Sequence, residues 1–235
     1  MIHIDHVSKQ FGKKSVLKEI SCSVNQGEIF GLLGPSGSGK TTLVKLIMGM
    51  EKQDQGTIKI DGLTVPNLKI SKTVGFMSQS DALYEDLTAF ENLVFFASLY
   101  GMKRKHAKER ISIVMDLVGL FNDIYTKVSA YSGGMKRRLS LAISLLHEPN
   151  ILILDEPTVG IDPLMRKTIW EELNQLRKNG ACILLTTHVM DEAEKCTKIA
   201  MLRDGHLLTV GTPEQIKQQE KVSSIEEAFL SLGGK

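Results

Sequence analysis

Three short stretches of this sequence hold residues whose types and spacing could do chemistry. In Gly34-Pro35-Ser36-Gly37-Ser38-Gly39-Lys40-Thr41 the glycines let backbone N–H groups turn inward around the β- and γ-phosphates of a nucleotide. A helix after such a loop aims its positive dipole end at the same oxygens, Lys40 adds a point charge, and Thr41 supplies a hydroxyl for Mg²⁺. The alternative is a flexible Gly/Ser turn with no ligand. Context argues against it, because the loop lies after an apolar strand and before a helix.

The second stretch, Ile151-Leu152-Ile153-Leu154-Asp155-Glu156, is an apolar run ending in two acids. A strand of this type buried in a parallel sheet delivers its final carboxylates to the C-terminal edge of the sheet, where the phosphate loop also sits. Asp155 can then hold a Mg²⁺ shell, and Glu156 can take a proton from water attacking the γ-phosphate. Taken alone, the two acids serve equally well as caps of the next helix. The third stretch, Tyr131-Ser132-Gly133-Gly134-Met135, precedes a helix with Leu139, Ala142, Ile143 and Leu146 on its apolar face. A serine and two glycines at a helix start suit an anion, and suit an ordinary N-cap as well.

Periodicity supplies the elements that must position these residues. Alternation in Ile2 to Val7, β-branched residues from Val16 to Val24 and the run Ile29 to Leu33 predict strands, separated by turns at Phe11-Gly12 and Asn25-Gln26-Gly27. Thr42 to Met50 has helical spacing and Gly56 to Gly62 alternates as a strand. From Leu87 to His147 the pattern is helical, over Thr88 to Tyr100, Lys105 to Val118 and Gly134 to His147, which predicts an inserted helical subdomain. After Pro149, strands at Ile151 to Leu154, Ala181 to Thr186 and Ile199 to Leu202 alternate with helical stretches at Pro163 to Lys178 and Val189 to Lys195, as in a parallel α/β sheet. Two short amphipathic helices are expected from Gly211 onward. The expectation is a single domain over residues 1–235: a strand-rich phosphate-loop part (1–86), the helical part (87–147), a second core part (148–210) and C-terminal helices (211–235).

Composition narrows the classes. With 235 residues, 42% of them hydrophobic, the chain can bury a sizeable core, which excludes a disordered or disulfide-held scaffold. Lys plus Arg at 29 against Asp plus Glu at 27 gives +2, too balanced to favour a nucleic-acid partner. The three cysteines, Cys22, Cys182 and Cys196, are widely spaced and without metal-ligand spacing, so a reducing compartment is expected. No apolar run reaches the roughly 18 to 20 residues needed to cross a bilayer, and the N-terminus lacks a signal-peptide pattern.

The ordered set of motifs resembles the ATP-binding subunit of an ABC transporter over essentially the whole chain. It is similar to Walker A at Gly34 to Thr41, the Q-loop at Gln79, the signature at Tyr131 to Met135, Walker B at Ile151 to Glu156, the D-loop at Gly160-Ile161-Asp162-Pro163 and the switch histidine at His188. The resemblance implies an α/β fold, a RecA-like P-loop NTPase core with an N-terminal antiparallel β subdomain and an inserted helical subdomain. It implies an ATPase using ATP and Mg²⁺, with Glu156 and His188 catalytic and Thr41, Gln79 and Asp155 at the metal. The nucleotide-contacting set it implies is Phe11 against adenine, Gly34, Pro35, Ser36, Gly37, Ser38, Gly39, Lys40, Thr41, Thr42 and Gln79. Ser132, Gly133, Gly134 and Asp162 would complete the site across a head-to-tail pair of such subunits. For Phe11 a core or turn role, and for His188 a helix-cap or core role, stand as alternatives.

The implied partners are a membrane-spanning permease and a second ATP-binding subunit, either another copy or a paralogue, at the cytoplasmic face of the membrane, with no nucleic acid. Tyr131 and Met135 depart from the usual leucine and glutamine of the signature and are followed by Lys136-Arg137-Arg138. Those outer positions, and Ser224 to Leu230, resemble type-two exporters, which move drugs, sodium, polysaccharides or peptides outward. The rival readings are a soluble ABC ATPase acting on ribosomes or DNA, and a P-loop kinase or GTPase. The second rival leaves Ser132-Gly133-Gly134 and His188 without a role.

Overall fold

The computed structural model describes residues 1–233; the last two positions of the expected C-terminal helical stretch, 234 and 235, lie outside them. The chain opens with strands β1 (Ile2–Phe11), β2 (Lys14–Val24) and β3 (Ile29–Leu33), then helix α1 (Lys40–Ile47) and strands β4 (Gln55–Ile60) and β5 (Leu63–Thr64). A single turn α2 (Ile70–Thr73) leads into β6 (Val74–Met77), and helices α3 (Ala89–Leu99), α4 (Arg104–Leu117) and α5 (Gly133–Leu145) follow. The remainder alternates: β7 (Ile151–Asp155), α6 (Pro163–Lys178), β8 (Cys182–Thr187), α7 (Met190–Ala193), β9 (Lys198–Arg203), β10 (His206–Gly211), α8 (Pro213–Glu220) and α9 (Ile225–Gly233).

Two sheets result. The antiparallel one has the order β2-β1-β4-β5; the other has the order β10-β9-β3-β8-β7-β6, parallel except for the β9–β10 hairpin. The central strands of the second sheet are buried on both faces, and their period of two decides which core each residue joins. Phe30, Leu32, Ile153, Leu184 and Leu202 meet the antiparallel sheet and α1, whose Leu43, Val44, Leu46 and Ile47 sit at helical spacing. Ile29, Leu33, Leu152, Leu154, Ile183 and Leu185 face the other way, onto the core shared with α3, α4, α5 and α6. The alternation in the apolar strands therefore builds a sheet sandwiched between a β layer and a helical layer.

Local chemistry sets the helix starts. Thr88 caps α3 in a capping box with Glu91, Ser132 caps α5 through Met135 N–H, and Asp162 caps α6 ahead of Pro163. Besides the short β5 and α2, which the sequence analysis did not name, three elements differ from the sequence expectation. Phe11 ends β1 rather than starting a turn, because its pairing with Lys14 leaves only Gly12 and Lys13 to reverse the chain. β6 is an edge strand of four residues, too short to show periodicity. β10 pairs with β9 through Asp204-Gly205, a turn pair that favours a tight hairpin, where the sequence analysis named no element within the second core part after Leu202.

Candidate nucleotide-binding site

The site is assembled at the C-terminal ends of β3, β6, β7 and β8. β3 runs directly into Gly34, where a Cβ would collide with the Leu202 carbonyl oxygen and stand 2.7 Å from Ser38 Oγ. Gly39, at φ +111°, is the N-cap of α1, and a Cβ there would meet Leu17 Cδ2 at 2.7 Å. Only glycine fits this loop at both ends. No side chain caps α1 and its first turn carries no acid, so its leading N–H groups have no side-chain partner and suit an anion.

Lys40 opens α1 and turns back into the loop. Its Nζ donates to the Gly34 carbonyl at 2.7 Å and to the Pro35 carbonyl at 3.1 Å, and stands 3.7 Å from Glu156 Oε1. Burial lowers the Lys40 pKa, while Glu156 and Asp155 oppose the shift by stabilising the ammonium. Thr41 Oγ1 lies 3.4 Å from Gln79 Oε1, which β6 brings to the site two residues past its end.

β7 and β8 deliver the acids as paired strands. Asp155 is buried and accepts from Thr186 Oγ1 of β8. Glu156 follows at φ +52°, a left-handed conformation that is unfavourable for a residue with a side chain. Its N–H donates to Thr186 Oγ1 at 3.0 Å and to the Thr186 carbonyl at 3.2 Å. Its Oε1 lies 3.1 Å from Nδ1 of His188, which is half-exposed just beyond β8. Behind this pair, buried Glu192 accepts from Thr158 Oγ1 and, at 2.7 Å, from Thr187 Oγ1, joining the segment after β7 to the segment that carries His188.

Phe11, Lys14, Val16, Ser36, Gly37, Gly39, Lys40, Thr41, Thr42, Gln79 and Glu156 line one cleft of about 300 Å³. Asp155 lines an adjoining cavity of about 260 Å³ that shares Thr41 and Gln79. Phe11 is 47% exposed, with Lys9 Nζ 4.9 Å from its ring centroid. The hydroxyl of Thr41, the amide oxygen of Gln79 and the carboxylate of Asp155 are hard oxygen donors. They suit Mg²⁺, which takes one or two protein oxygens alongside water and phosphate rather than a protein cage. No group of three or more His, Cys, Asp or Glu side chains that could hold a metal occurs among the described residues.

Gly34 and Pro35 form the rear of the loop, where Lys40 binds their carbonyls, and Ser38 is buried within it. Ser132, Gly133, Gly134 and Asp162 do not line the cleft. Ser132 Oγ accepts from Met135 N–H at 3.2 Å, and Asp162 Oδ1 accepts from Met165 N–H at 3.0 Å, so both act as helix N-caps within the chain. A Cβ on Gly134 would stand 2.9 Å from the Gly160 carbonyl oxygen, so the start of α5 packs against the segment before α6.

Sequence reasoning missed several residues of the site. Lys14 and Val16 reach the cleft only because β1 and β2 pair, and Thr186 was visible only as the polar end of a strand. Arg137 was seen as one of three basic residues, yet it is buried and bonded to backbone carbonyls on both sides of the site. Its one sequence signal is spacing, four residues before Leu141 and seven before Ser144 on the buried face of α5.

The family described as ABC transporter matches residues 17–159. The linearmycin resistance ATP-binding protein LnrL of Bacillus subtilis (strain 168) is 39% identical over 98% of this chain and 78% of its own length. The Nod factor export ATP-binding protein I of Burkholderia orbicola (strain AU 1054) is 40% identical over 97% of this chain and 76% of its own. Among solved structures, an ATP binding subunit of an ABC transporter matches with a TM-score of 0.93 at 28% identity, covering 99% of both chains. A dimeric ATP-binding cassette in a post-hydrolysis state, bound to ADP and Pi, matches with a TM-score of 0.83 at 26% identity, over 90% of this chain and 98% of that one.

Proposed function

Because this chain belongs to the ABC transporter family, as an ATP-binding subunit that hydrolyses ATP with Mg²⁺, we propose that it drives export of a substrate through a separate membrane-spanning partner. The observation that carries the reading is the meeting of Lys40, Glu156 and His188, the first two lining the same cleft as Phe11.

In this reading the phosphate loop holds the triphosphate on backbone N–H groups, and Phe11 stacks on adenine. Lys40 exchanges the Gly34 and Pro35 carbonyls for phosphate oxygens. Bound Mg²⁺, held by Thr41 and Asp155 with Gln79 beside them, would supply charge neutralisation at the phosphates. Glu156 takes the proton of the attacking water, and His188 orients the Glu156 carboxylate and contacts the γ-phosphate.

Ser132, Gly133 and Gly134 lie outside the chain's own cleft, which supports their role in closing the cleft of a second ATP-binding subunit, either another copy or a paralogue. Asp162, capping α6 beside Gly160, would link the two sites. Hydrolysis then lets the pair open, and Gln79 passes the change to the helices that follow it. Export is supported by relatives named for Nod factor export and for linearmycin resistance. The proposed location is the cytoplasmic face of a membrane, as a peripheral subunit.

The test is to express tagged Glu156→Gln protein, solubilise it gently with ATP and Mg²⁺, and identify co-purifying proteins by mass spectrometry. A multi-spanning membrane protein in near-equal amount supports the reading. Ribosomes or DNA-repair proteins in its place would overturn it.

A further inference from the structure

The guanidinium of Arg137 ties together the two strand ends that build the site. It projects from the second turn of α5 and its side chain is only 8% exposed. Nη1 donates to the Ser78 carbonyl at 2.7 Å and to the Gln79 carbonyl at 3.0 Å, just past β6. Nη2 donates to the Asp155 carbonyl and, at 2.7 Å, to the Glu156 carbonyl, at the end of β7. The Asp81 carboxylate lies 3.5 Å from Nη1 and is itself held by Ser140 Oγ at 2.8 Å, which gives the buried cation a counter-charge.

This geometry uses what is particular to arginine. Its planar fork presents donors in fixed directions, so two nitrogens can each serve a pair of carbonyls from a different strand; a lysine ammonium is a single point and cannot span them. The fork also acts where the backbone is least favourable. A non-glycine residue in the left-handed region is strained and persists only where its surroundings over-determine it. For Glu156, at φ +52°, Thr186 fixes the N–H side and Arg137 fixes the carbonyl side.

We propose that Arg137 is a positioning residue for hydrolysis, locking Glu156 in its left-handed backbone and joining that peptide to the Gln79 segment so that both move with α5. The inference rests on the reading of Glu156 as general base. Gln79 is then one mechanical link between site and helices, and Arg137 is another. Arg137 hydrogen-bonds the backbone carbonyls, not the side chains, of Gln79 and Glu156 and does not line the cleft, so its loss misplaces the base without removing a phosphate contact.

Arg137→Lys and Arg137→Met, made in the full chain, test this. Both variants are expected to bind ATP with a Kd within about threefold of wild type and to keep KM, while kcat per bound nucleotide falls roughly 10- to 100-fold. In the nucleotide-free protein, amide hydrogen exchange should rise together in residues 77–82 and 155–158 while β3 and β8 keep their protection. If Arg137→Met does not fold, Arg137→Lys decides. A kcat within about threefold of wild type in Arg137→Lys overturns the proposal. So does a joint loss of ATP binding, turnover and protection throughout the sheet, which is the mark of a merely structural role. Failure of the underlying reading is seen separately, as wild-type turnover in Glu156→Gln or no turnover in wild type; either removes the proposal with it.

Discussion

Lys40 Nζ stands 3.7 Å from Glu156 Oε1, with the two side chains only 5% and 11% exposed. Each charge compensates the burial of the other, and the ammonium rests on the loop carbonyls of Gly34 and Pro35. One pair thus joins the residue proposed to grip phosphate to the residue proposed to activate water, and substitutions at its two ends should separate those roles.

At the Glu156 end, Glu156→Gln keeps the shape of the side chain and leaves Lys40 on its carbonyls. Phosphate release should fall roughly 10²- to 10⁴-fold, the range for loss of a general base. ATP binding should persist, and light scattering in ATP and Mg²⁺ should show an accumulated dimer. Normal turnover in this variant would falsify the general-base role.

At the Lys40 end the effect should fall on binding. Lys40→Ala removes a charge-assisted phosphate contact and leaves Glu156 buried without its partner, so ATP affinity by calorimetry should weaken about tenfold or more. Unchanged affinity would argue against the phosphate-loop role.

The two glycines at the start of α5 should behave differently. A Cβ on Gly133 meets nothing within 4 Å, whereas one on Gly134 stands 2.9 Å from the Gly160 carbonyl oxygen. Gly133→Ala should leave the melting temperature within a degree or two (about 0.5 kcal/mol) and still depress turnover, because the added methyl faces the proposed partner site. Gly134→Ala should lower both, since backbone must move to admit it. If Gly133→Ala turns over normally, Gly133 does not contact a partner's nucleotide.

Stability should also carry an acid-sensitive term from His147. The ring stacks on Tyr100 with centroids 3.7 Å apart, and burial depresses its pKa from 6.5 to about 4. The unfolded chain therefore binds the extra proton first: this stability is complete above pH 6.5 and is lost as pH falls toward about 4. Allowing for the ring's partial contact with solvent, the loss at pH 5 is on the order of 1 kcal/mol, or roughly 2–4 °C in melting temperature. His147→Phe keeps the stacking and should remove that part of the acid sensitivity. Equal pH dependence in the two proteins would refute the assignment.

Much of the fold was legible because its signals are local. Apolar runs such as Ile29 to Leu33 and Ile151 to Leu154 mark strands buried on both faces, and Thr88, Ser132 and Asp162 mark helix starts by their own hydrogen bonding. β6 was not legible, because four residues on a sheet edge carry too little pattern to separate from a loop. The hairpin at Asp204-Gly205 had a local signal, the turn pair itself, but the strand that follows is only partly buried and shows weak alternation.

The sequence by itself determined the residue types of the site and the elements that present them: a glycine-rich loop between strand and helix, two acids closing an apolar strand, and a serine-glycine helix start. These follow from short-range sterics, periodicity and capping, which act within a few residues. Tertiary structure alone decided which of these meet. It placed Phe11 and Glu156 on one cleft, left Ser132 and Gly133 off it, and chose Arg137 from among three basic neighbours to turn inward. Those contacts join residues such as Arg137 and Ser78, 59 positions apart, whose proximity depends on the strand order of the six-stranded sheet. That order is set by the burial of both sheet faces at once, a condition on the whole chain that no single segment expresses.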